Sequence, residues 1–346
     1  MMRCHRFHYE SPLTLREACA RLSDAGGEAM LLAGGTDLVP NMKRRQQVPP
    51  TVISLRRVRE LRDADVSDGM VRIGAMTTLA SLTTDPLLRE RHPALFKAAA
   101  QVATPHLRNM GTLGGNLCLD TRCNYYDQNY EWRKAIDFCM KKDGEVCWVA
   151  PGSPRCWAVS STDTAPALMA LGAQVEVAGI HGERRLGLAE LFRDDGIEYL
   201  SKKREEILTR VLLPVPVPGE ASTYWKLRRR GAFDFPVLSV AAWIRRDGQG
   251  IVEAARLVLG SVASRPLLSP ASSRLVGSLL SEEIIQAVAE EASTLAKPLD
   301  NTDFSLGWRK KSARHLIQGA LRELRGDDPR ELGPIARRAA ELVPVF

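Results

Sequence analysis

Hydrophobic and polar positions in the first sixty residues predict alternating helix and strand. The segment TLREACARLSDAGG places Leu15, Ala18 and Leu22 on one face, and Gly26 and Gly27 close it, so it predicts an amphipathic helix. The short apolar runs AMLLAG and TVISL predict two strands, separated by the loop AGGTDLVPNMK. Farther on, VRIGAMTTL (71–79) predicts a strand, and PALFKAAAQVA (93–103) predicts a helix ending near a proline.

The second half of the chain has a different pattern. Apolar runs return at 166–179 and 205–216, and the proline-rich stretch PVPVPGE (214–220) follows as a candidate domain boundary. YWKLRRRGAFDFPVLSVAAWIRR and AARLVLGSVASRP then alternate as antiparallel strands do. Ser281 is a candidate helix N-cap, and ARHLIQGALREL (313–324) predicts another helix. The mixture predicts an α+β protein with separate sheets, not one doubly wound sheet.

Composition and charge exclude several classes of protein. Of 346 residues, 45% are hydrophobic, and no run of about 18 apolar residues occurs, so we expect no membrane span. The N-terminal segment lacks the apolar core of a secretory signal, and we therefore expect a cytoplasmic location. The net charge is +7, but the basic runs are short and not interleaved with aromatic residues. We expect solvated faces or an acidic protein partner there, and no nucleic acid.

Two glycine loops are candidate phosphate sites. AGGTD (33–37) follows an apolar strand, and GTLGGN (111–116) is a second loop of the same kind. Glycine lets backbone N–H groups approach a phosphate closely, so two such loops could hold one extended diphosphate from two sides. Neither loop matches the usual nucleotide-binding patterns. Plain tight turns remain the alternative.

Cysteines are concentrated in one stretch of the chain. Five of the seven lie between Gly114 and Trp157, whereas Cys4 and Cys19 are remote and read as ordinary residues. In a reducing compartment, clustered thiols favour a zinc or iron–sulfur site over disulfides. The spacing fits zinc poorly, and four thiolates are what a [4Fe–4S] cluster needs, although the common ferredoxin spacing is absent too. A zinc-stabilised binding module without redox activity is the alternative. The clustered cysteines are Cys118, Cys123, Cys139, Cys147 and Cys156.

Several motifs resemble the flavin-binding subunits of the xanthine oxidase family of molybdenum hydroxylases. AGGTDLVPNMK, RNMGTLGGN and DTAPALMALGA occur in the expected order, and WKLRRRGAFDFPVLSVA and LVLGSVASRP are similar to that family's C-terminal domain. The resemblance implies a two-part FAD-binding domain of the PCMH type over 1–217. A CO-dehydrogenase-flavoprotein-like domain of antiparallel sheet and helices would then occupy 218–346. It also implies that FAD is bound non-covalently.

The resemblance also assigns roles to individual residues. Asp163 would hydrogen-bond the flavin side of the cofactor, and Lys226 would lie near the ring, where a cation can stabilise the reduced flavin. A helix N-cap is the other role considered for Asp163, and the two roles are compatible, whereas a plain surface position is the alternative for Lys226. The residues that would embrace the pyrophosphate and ribityl chain are Leu32, Ala33, Gly34, Gly35, Thr36, Asp37, Thr112, Gly114, Gly115 and Asn116.

The cysteines lie in an insertion relative to most of that family. It occupies about 117–160, so that 46 residues separate Asn116 from Asp163. LDTRCNYYDQ, KKDGEVC and SSTDTAPAL resemble the FAD-bearing subunits of 4-hydroxybenzoyl-CoA reductases, whose insertion carries a [4Fe–4S] cluster. That resemblance implies the ligands Cys123, Cys139, Cys147 and Cys156. Cys118 would be the spare thiol, packed beside the flavin site.

The resemblance implies an electron-transfer subunit. Electrons would enter from a ferredoxin, pass through [4Fe–4S] and FAD to a [2Fe–2S] subunit, and reach a molybdenum-cofactor subunit that removes the phenolic hydroxyl of 4-hydroxybenzoyl-CoA. The complex would be a heterohexamer, a dimer of heterotrimers. We expect no catalytic residue on this chain, since no acid–base pair or activated nucleophile stands out in it. The alternative is a molybdenum hydroxylase running oxidatively on aryl-CoA thioesters or N-heterocycles.

Overall fold

A small parallel sheet forms the N-terminal part of the computed structural model, which describes residues 3–302 and 304–334. Its strand order is β1 (His8–Glu10), β3 (Thr51–Ser54) and β2 (Ala29–Leu32). Helix α1 (Leu15–Asp24) buries its apolar face in the core beneath these strands, and α2 (Leu38–Lys43) follows the first glycine loop. The predicted helix and the two predicted strands are confirmed here.

An antiparallel sheet of five strands makes up the middle layer. Its order is β4 (Ala64–Ser67), β5 (Met70–Gly74), β8 (Ile207–Pro214), β6 (Gln174–Gly179) and β7 (Gly182–Gly187). The predicted strand over 71–79 is right only in its first half. After Gly74 the chain turns, and Thr78 caps a helix that begins at Leu79. The apolar run at 205–216 supplies β8, the central strand, whose apolar side chains are buried.

Short helices lie between this middle sheet and the C-terminal part of the chain and carry the second glycine loop. They are α3 (Leu79–Thr84), α4 (Pro86–Arg91), α5 (Pro93–Ala100), α6 (Pro105–Arg108), α7 (Leu113–Leu117) and α9 (Thr164–Ala170). The residues predicted as a helix over 93–103 form α5. Helices α5 and α9 and the middle sheet share one large apolar core, the central core.

The C-terminal part is an antiparallel sheet covered by two helices. Its order is β12 (Leu267–Leu268), β11 (Val252–Gly260), β10 (Leu238–Arg246) and β9 (Glu220–Leu227), which confirms the predicted antiparallel strands. Along β10 successive side chains alternate between the central core and the core beneath α10 (Glu282–Ser293) and α11 (Leu306–Arg325). Ser281 caps α10 as predicted, its hydroxyl accepting from the amide of Ile284 at 3.4 Å.

The insertion is mostly irregular. It contains one helix, α8 (Tyr130–Ala135). The two ends of the insertion are joined by a pair of backbone hydrogen bonds between Arg122 and Val159, both 2.8 Å. A small cluster of buried side chains that includes three of the cysteines forms its interior. The insertion therefore folds as a closed loop whose two ends meet.

The predicted boundary at 217/218 stays a prediction. It falls in the connection between β8 and β9, which lie in different sheets. Residues 335–346 of the predicted second domain lie outside the described part of the chain. Among the helices that are described, none combines the length and apolarity needed to cross a membrane.

Candidate functional site

The two glycine loops lie against each other. A Cβ atom on Gly34 would come within 1.8 Å of the carbonyl oxygen of Met110, immediately before the second loop. Gly35 has φ +75°, a conformation that favours glycine. Backbone contact therefore joins the loops, as expected for two elements that grip one ligand.

The second loop is held by its own side chains. The hydroxyl of Thr112 accepts from the amide of Gly115 at 3.1 Å, and a Cβ on Gly114 would lie 2.7 Å from the Cβ of Ala75. The amide oxygen of Asn116 accepts from the backbone and hydroxyl of Thr164 at 3.1 and 2.7 Å. Asn116 thus ties the loop to the start of α9.

A deep cleft of about 1050 Å³ opens beside the two loops. This volume is at the upper end of the range of about 300–1,000 Å³ typical of small-molecule sites, so an extended dinucleotide fits it. Two predicted residues, Leu32 and Lys226, do not line it. The predicted residues that do are Ala33, Gly34, Gly35, Thr36, Asp37, Thr112, Gly114, Gly115, Asn116 and Asp163.

A buried ion pair closes the inner side of the cleft. The ammonium group of Lys226 lies 2.9 Å from Oδ2 of Asp163 and donates to the carbonyl of Gln101 at 2.9 Å. The hydroxyl of Tyr224 donates to Oδ1 of Asp163 at 2.7 Å. Burial raises the pKa of Asp163 and lowers that of Lys226, and each partner opposes the other's shift.

These contacts rule out both alternatives considered for the pair. Asp163 occupies the N-cap position of α9 but makes no side-chain capping bond, because its carboxylate is turned toward Tyr224 and Lys226. Asn116 and Thr162 cap the helix instead, accepting from the amides of Thr164 and Ala165 at 3.1 and 3.3 Å. Lys226 is not a surface residue, since it is only 4% exposed. It stands behind Asp163 as seen from the cleft and fixes that carboxylate in place.

The insertion contributes charged residues to the cleft that the sequence did not single out. Arg122 pairs with Asp37 of the first glycine loop and with Asp127 at 3.2 Å, and its guanidinium lies 4.7 Å from the ring centroid of Phe235. The other cations that line the cleft are Arg44, Lys141, Lys142, Lys202 and Arg204. Two of these cations are already paired with carboxylates of the cleft, Arg122 with Asp37 and Lys141 with Asp120.

Four cysteines of the insertion converge on a second, small cavity. Cys123, Cys139, Cys147 and Cys156 all line it, and each is at most 7% exposed. Cys118 is set apart, because it is half-buried, packs against the central core and lines the cleft. The structure thus brings together the four predicted ligands and separates the fifth cysteine. Their role as ligands stays a prediction.

Two of the thiols in this cavity interact directly. A hydrogen bond between Cys147 and Cys156 lowers the pKa of Cys147 and raises that of Cys156, and burial raises the pKa of Cys123 to about 12. Burial also raises the pKa of Cys139, while backbone N–H groups and then the charges of Lys141 and Arg133 oppose it. The donor set is chemically suited to soft metal ions.

The cavity among the four cysteines is too small for a cluster in this structure. Its volume is about 10 Å³, roughly one water. Within residues 3–302 and 304–334, no three His, Cys, Asp or Glu side chains stand as ligands around a common metal position. The loops that carry the four cysteines would have to rearrange to admit a cluster.

A thin wall separates this cavity from the cleft. Tyr126 and Lys141 line both spaces. The ammonium group of Lys141 pairs with Asp120 at 2.8 Å and donates to Thr121 at 2.7 Å, while the Tyr126 hydroxyl donates to Asp120 at 2.9 Å. A cofactor in the cleft and a group bound by the four cysteines would therefore be neighbours.

Comparison with protein families gives two matches that together span most of the chain. Residues 5–216 match the FAD binding domain in molybdopterin dehydrogenase. Residues 222–324 match the CO dehydrogenase flavoprotein C-terminal domain. With the mixed helix and antiparallel sheet described above, these matches confirm the predicted fold class.

Individual relatives are similar over nearly their full length. The aldehyde oxidoreductase FAD-binding subunit of Escherichia coli is 31% identical, covering 91% of this chain and 98% of the relative. The nicotinate dehydrogenase FAD-subunit of Eubacterium barkeri is 26% identical over 92% and 94%. A solved structure of carbon monoxide dehydrogenase from Hydrogenophaga pseudoflava superimposes with a TM-score of 0.77 at 26% identity, covering 93% of this chain and 98% of that one.

Proposed function

Because this chain belongs to the family of FAD-binding domains in molybdopterin dehydrogenases, we propose that it is the electron-transfer subunit of a 4-hydroxybenzoyl-CoA reductase. In this proposal the chain binds FAD in the cleft and one [4Fe–4S] cluster through Cys123, Cys139, Cys147 and Cys156. FAD would supply one- and two-electron chemistry when bound, and the cluster one-electron chemistry.

The convergence of four buried cysteines beside the cleft carries this proposal. Thiols that lie up to 33 positions apart in the sequence line one cavity, and the wall between that cavity and the cleft is a single layer containing Tyr126 and Lys141. A relay of electrons needs such proximity. A purely structural zinc site would not require a position next to the flavin cleft.

The residues of the chain would act by binding and orienting. Backbone N–H groups around Gly34 and Gly35 and the second loop would hold the pyrophosphate, next to the ion pair of Arg122 and Asp37. Asp163, fixed by Lys226 and Tyr224, would accept from a cofactor hydroxyl or ring N–H. No residue of this chain is proposed to act on the aromatic substrate.

Partners complete the proposed enzyme. A [2Fe–2S] subunit and a molybdenum-cofactor subunit would join this chain in a dimer of heterotrimers in the cytoplasm. A ferredoxin would deliver electrons, and reductive dehydroxylation of 4-hydroxybenzoyl-CoA would take place on the molybdenum subunit. Support for a multi-subunit assembly comes from relatives named as subunits or as a medium chain.

A second candidate is the FAD subunit of a molybdenum hydroxylase that runs oxidatively on an aryl-CoA or N-heterocyclic substrate. The observation in its favour is that similar proteins include the FAD subunit of nicotinate dehydrogenase, whose name denotes an oxidative reaction. In that case the chain would pass electrons outward from the molybdenum subunit.

The complex purified without oxygen distinguishes these functions. We expect about one FAD and four iron atoms per copy of this chain beyond those of the [2Fe–2S] subunit, and oxidation of reduced ferredoxin that depends on 4-hydroxybenzoyl-CoA. Turnover only in the direction that reduces an acceptor would favour the second candidate. Zinc in place of the four iron atoms would contradict the proposed electron path.

A further inference from the structure

The loop that joins β9 to β10, residues 228–237, reaches the cleft from the C-terminal part of the chain. Its base is closed where the amide of Val237 donates to the carbonyl of Leu227 at 2.9 Å. Phe233 and Phe235, farther along the loop, line the cleft and are 62% and 47% exposed. A single exposed aromatic residue is common on a protein surface, but two on one loop beside a cofactor cleft indicate a role in binding.

Phe233 lies against an apolar part of the cleft wall. Its amide donates to the carbonyl of Ala103 at 3.1 Å. Ala103 and the preceding Val102 both line the cleft, and Val102 also packs against the central core. An aromatic residue and aliphatic side chains are therefore neighbours at this point of the cleft. Such a surface suits a flat, largely apolar ring and does not suit a phosphate.

The backbone of Phe233 is held in a conformation that bulky residues rarely adopt. Its φ is +64°, in the left-handed region, and the φ of its hydrogen-bond partner Ala103 is +45°. Glycine adopts this conformation without steric cost, whereas an aromatic residue there is an outlier. Strain of this kind persists only where the surrounding structure enforces it, and it is concentrated at ligand sites. A phenylalanine at this position therefore indicates a use for its ring.

Contacts on both sides of Phe233 hold the loop in place. Before it, Arg230 donates its amide and its Nε to the carboxylate of Asp234, at 2.5 and 2.9 Å. After it, the ring of Phe235 lies 4.7 Å from the guanidinium of Arg122, which lines the cleft and belongs to the insertion. The loop is therefore fixed beside the cleft, and the position of Phe233 is set by the fold.

Phe233 is linked through the backbone to the buried ion pair at the inner side of the cleft. Gln101, two residues before Ala103, accepts from Lys226 at 2.9 Å. Lys226 in turn pairs with Asp163, the residue proposed to accept from the flavin side of FAD. The phosphates are proposed to lie at the glycine loops, where backbone N–H groups supply the donors. A phenyl ring gains from stacking on a flat conjugated ring, so Phe233 matches the flavin end of the cofactor.

We propose that Phe233 is a cofactor-binding residue whose ring packs against the flavin ring of FAD, and that the loop 228–237 covers the inner end of the cleft. The C-terminal part of the chain thereby contributes a residue to a site whose glycine loops lie in the N-terminal half. The inference rests on the proposed function in one respect, since it requires FAD in the cleft. It does not depend on a cluster at the four cysteines.

Titration of FAD into the complex after removal of its flavin tests the inference. For Phe233→Ala we expect the Kd for FAD to rise about tenfold, because stacking on one aromatic ring is lost. Phe233→Tyr keeps the ring and should bind FAD within about twofold of the wild type. Phe7→Ala removes an exposed ring that does not line the cleft and is the matched control, with no change in Kd expected.

A glycine variant separates binding from packing. Phe233→Gly removes the ring and also relieves the backbone strain at φ +64°. We expect its Kd for FAD to rise as much as in Phe233→Ala, while the thermal midpoint of the flavin-free complex is no lower than that of the wild type. A residue whose ring only stabilises the fold would lower that midpoint in both variants, and this result would contradict the proposal.

The outcomes separate this inference from the proposed function. A wild-type complex that binds no FAD would overturn both. Binding of FAD by the wild type with the same Kd in Phe233→Ala as in Phe7→Ala would overturn the role of Phe233 alone. Loss of partner subunits from Phe233→Ala at an unchanged Kd for FAD would assign the exposed ring to a subunit interface and would also overturn it.

Discussion

The cleft and the cysteine insertion lie side by side but are built by different means. The cleft is shaped by backbone, with glycine loops pressed together so closely that a Cβ on Gly34 would meet Met110 at 1.8 Å. The insertion has a single helix, of six residues. Its loops are held together by contacts of side chains, among them the buried Arg133 and the ion pair of Lys141 and Asp120.

This difference bears on what each region needs from its ligand. The cleft is already open, at about 1050 Å³, and its walls include β2, α2 and α7 as well as the two glycine loops, so it is formed before a cofactor arrives. The cavity among the cysteines holds only about 10 Å³. Its loaded form would be reached only by binding, as is common for metal sites coupled to folding.

The largest effect is expected from a change in the backbone of the cleft. Gly34→Ala places a methyl group against the Met110 carbonyl, which cannot give way without separating the loops. We expect essentially complete loss of FAD and a fall of about 4 kcal/mol in the free energy of unfolding. The FAD-to-protein ratio after gel filtration and the denaturation midpoint measure this.

The control for this variant lies in the insertion. A Cβ on Gly152 would meet nothing within 4 Å, so Gly152→Ala should keep its FAD. Normal flavin content in Gly34→Ala would contradict a cleft that is shaped by backbone contact.

An intermediate effect is expected from the buried pair at the inner wall. Asp163→Asn leaves Lys226 buried without its carboxylate, and we expect a loss of about 3 kcal/mol in the free energy of unfolding together with weaker FAD binding. Chemical denaturation and flavin titration measure the two effects. The double variant Asp163→Asn, Lys226→Met should recover much of the stability, because no unpaired charge remains. Equal stability of the single and double variants would show that the charge of Lys226 is not what the carboxylate compensates.

The smallest effect is expected where the insertion is tied to the C-terminal part. Asn301 donates its amide to the carbonyl of Trp157 at 2.9 Å and accepts from Arg309 at 3.2 Å. Asn301→Ala should cost about 1–2 kcal/mol and speed hydrogen exchange within 117–160, while FAD content stays normal. Asp300→Ala, at the exposed neighbouring position, should change neither. Faster exchange around the glycine loops instead would mean that the two regions are not independent.

The regular elements of the fold were largely predictable from the sequence. Amphipathic spacing predicted α1, the apolar runs predicted β2 and β3, and the N-cap residue Ser281 predicted the start of α10. The strand predicted over 71–79 was too long because the capping hydroxyl of Thr78, which starts a helix, looks from sequence like one more β-prone residue.

The candidate site was predictable only where backbone or ligand chemistry leaves a signature. Glycine loops and clustered cysteines have a recognisable sequence pattern, so their residues were named as candidates from the sequence. Arg122 and Arg133 have no such pattern, because a buried cation and a solvated one look alike in sequence. The role of Lys226 near the cofactor stays a prediction, and its position behind Asp163 depends on the pairing of β9 with β10, which periodicity does not specify.

The measurement that tests the central claim most directly is iron content and EPR across a Cys→Ser series in the complex purified without oxygen. Serine at Cys123, Cys139, Cys147 or Cys156 should abolish or convert the [4Fe–4S] signal, while Cys118→Ser, which lines the cleft, should keep four iron atoms and an unchanged spectrum. FAD should remain in the four ligand variants, since the glycine loops are untouched. Loss of the cluster in Cys118→Ser, with retention in any of the other four, would contradict the account.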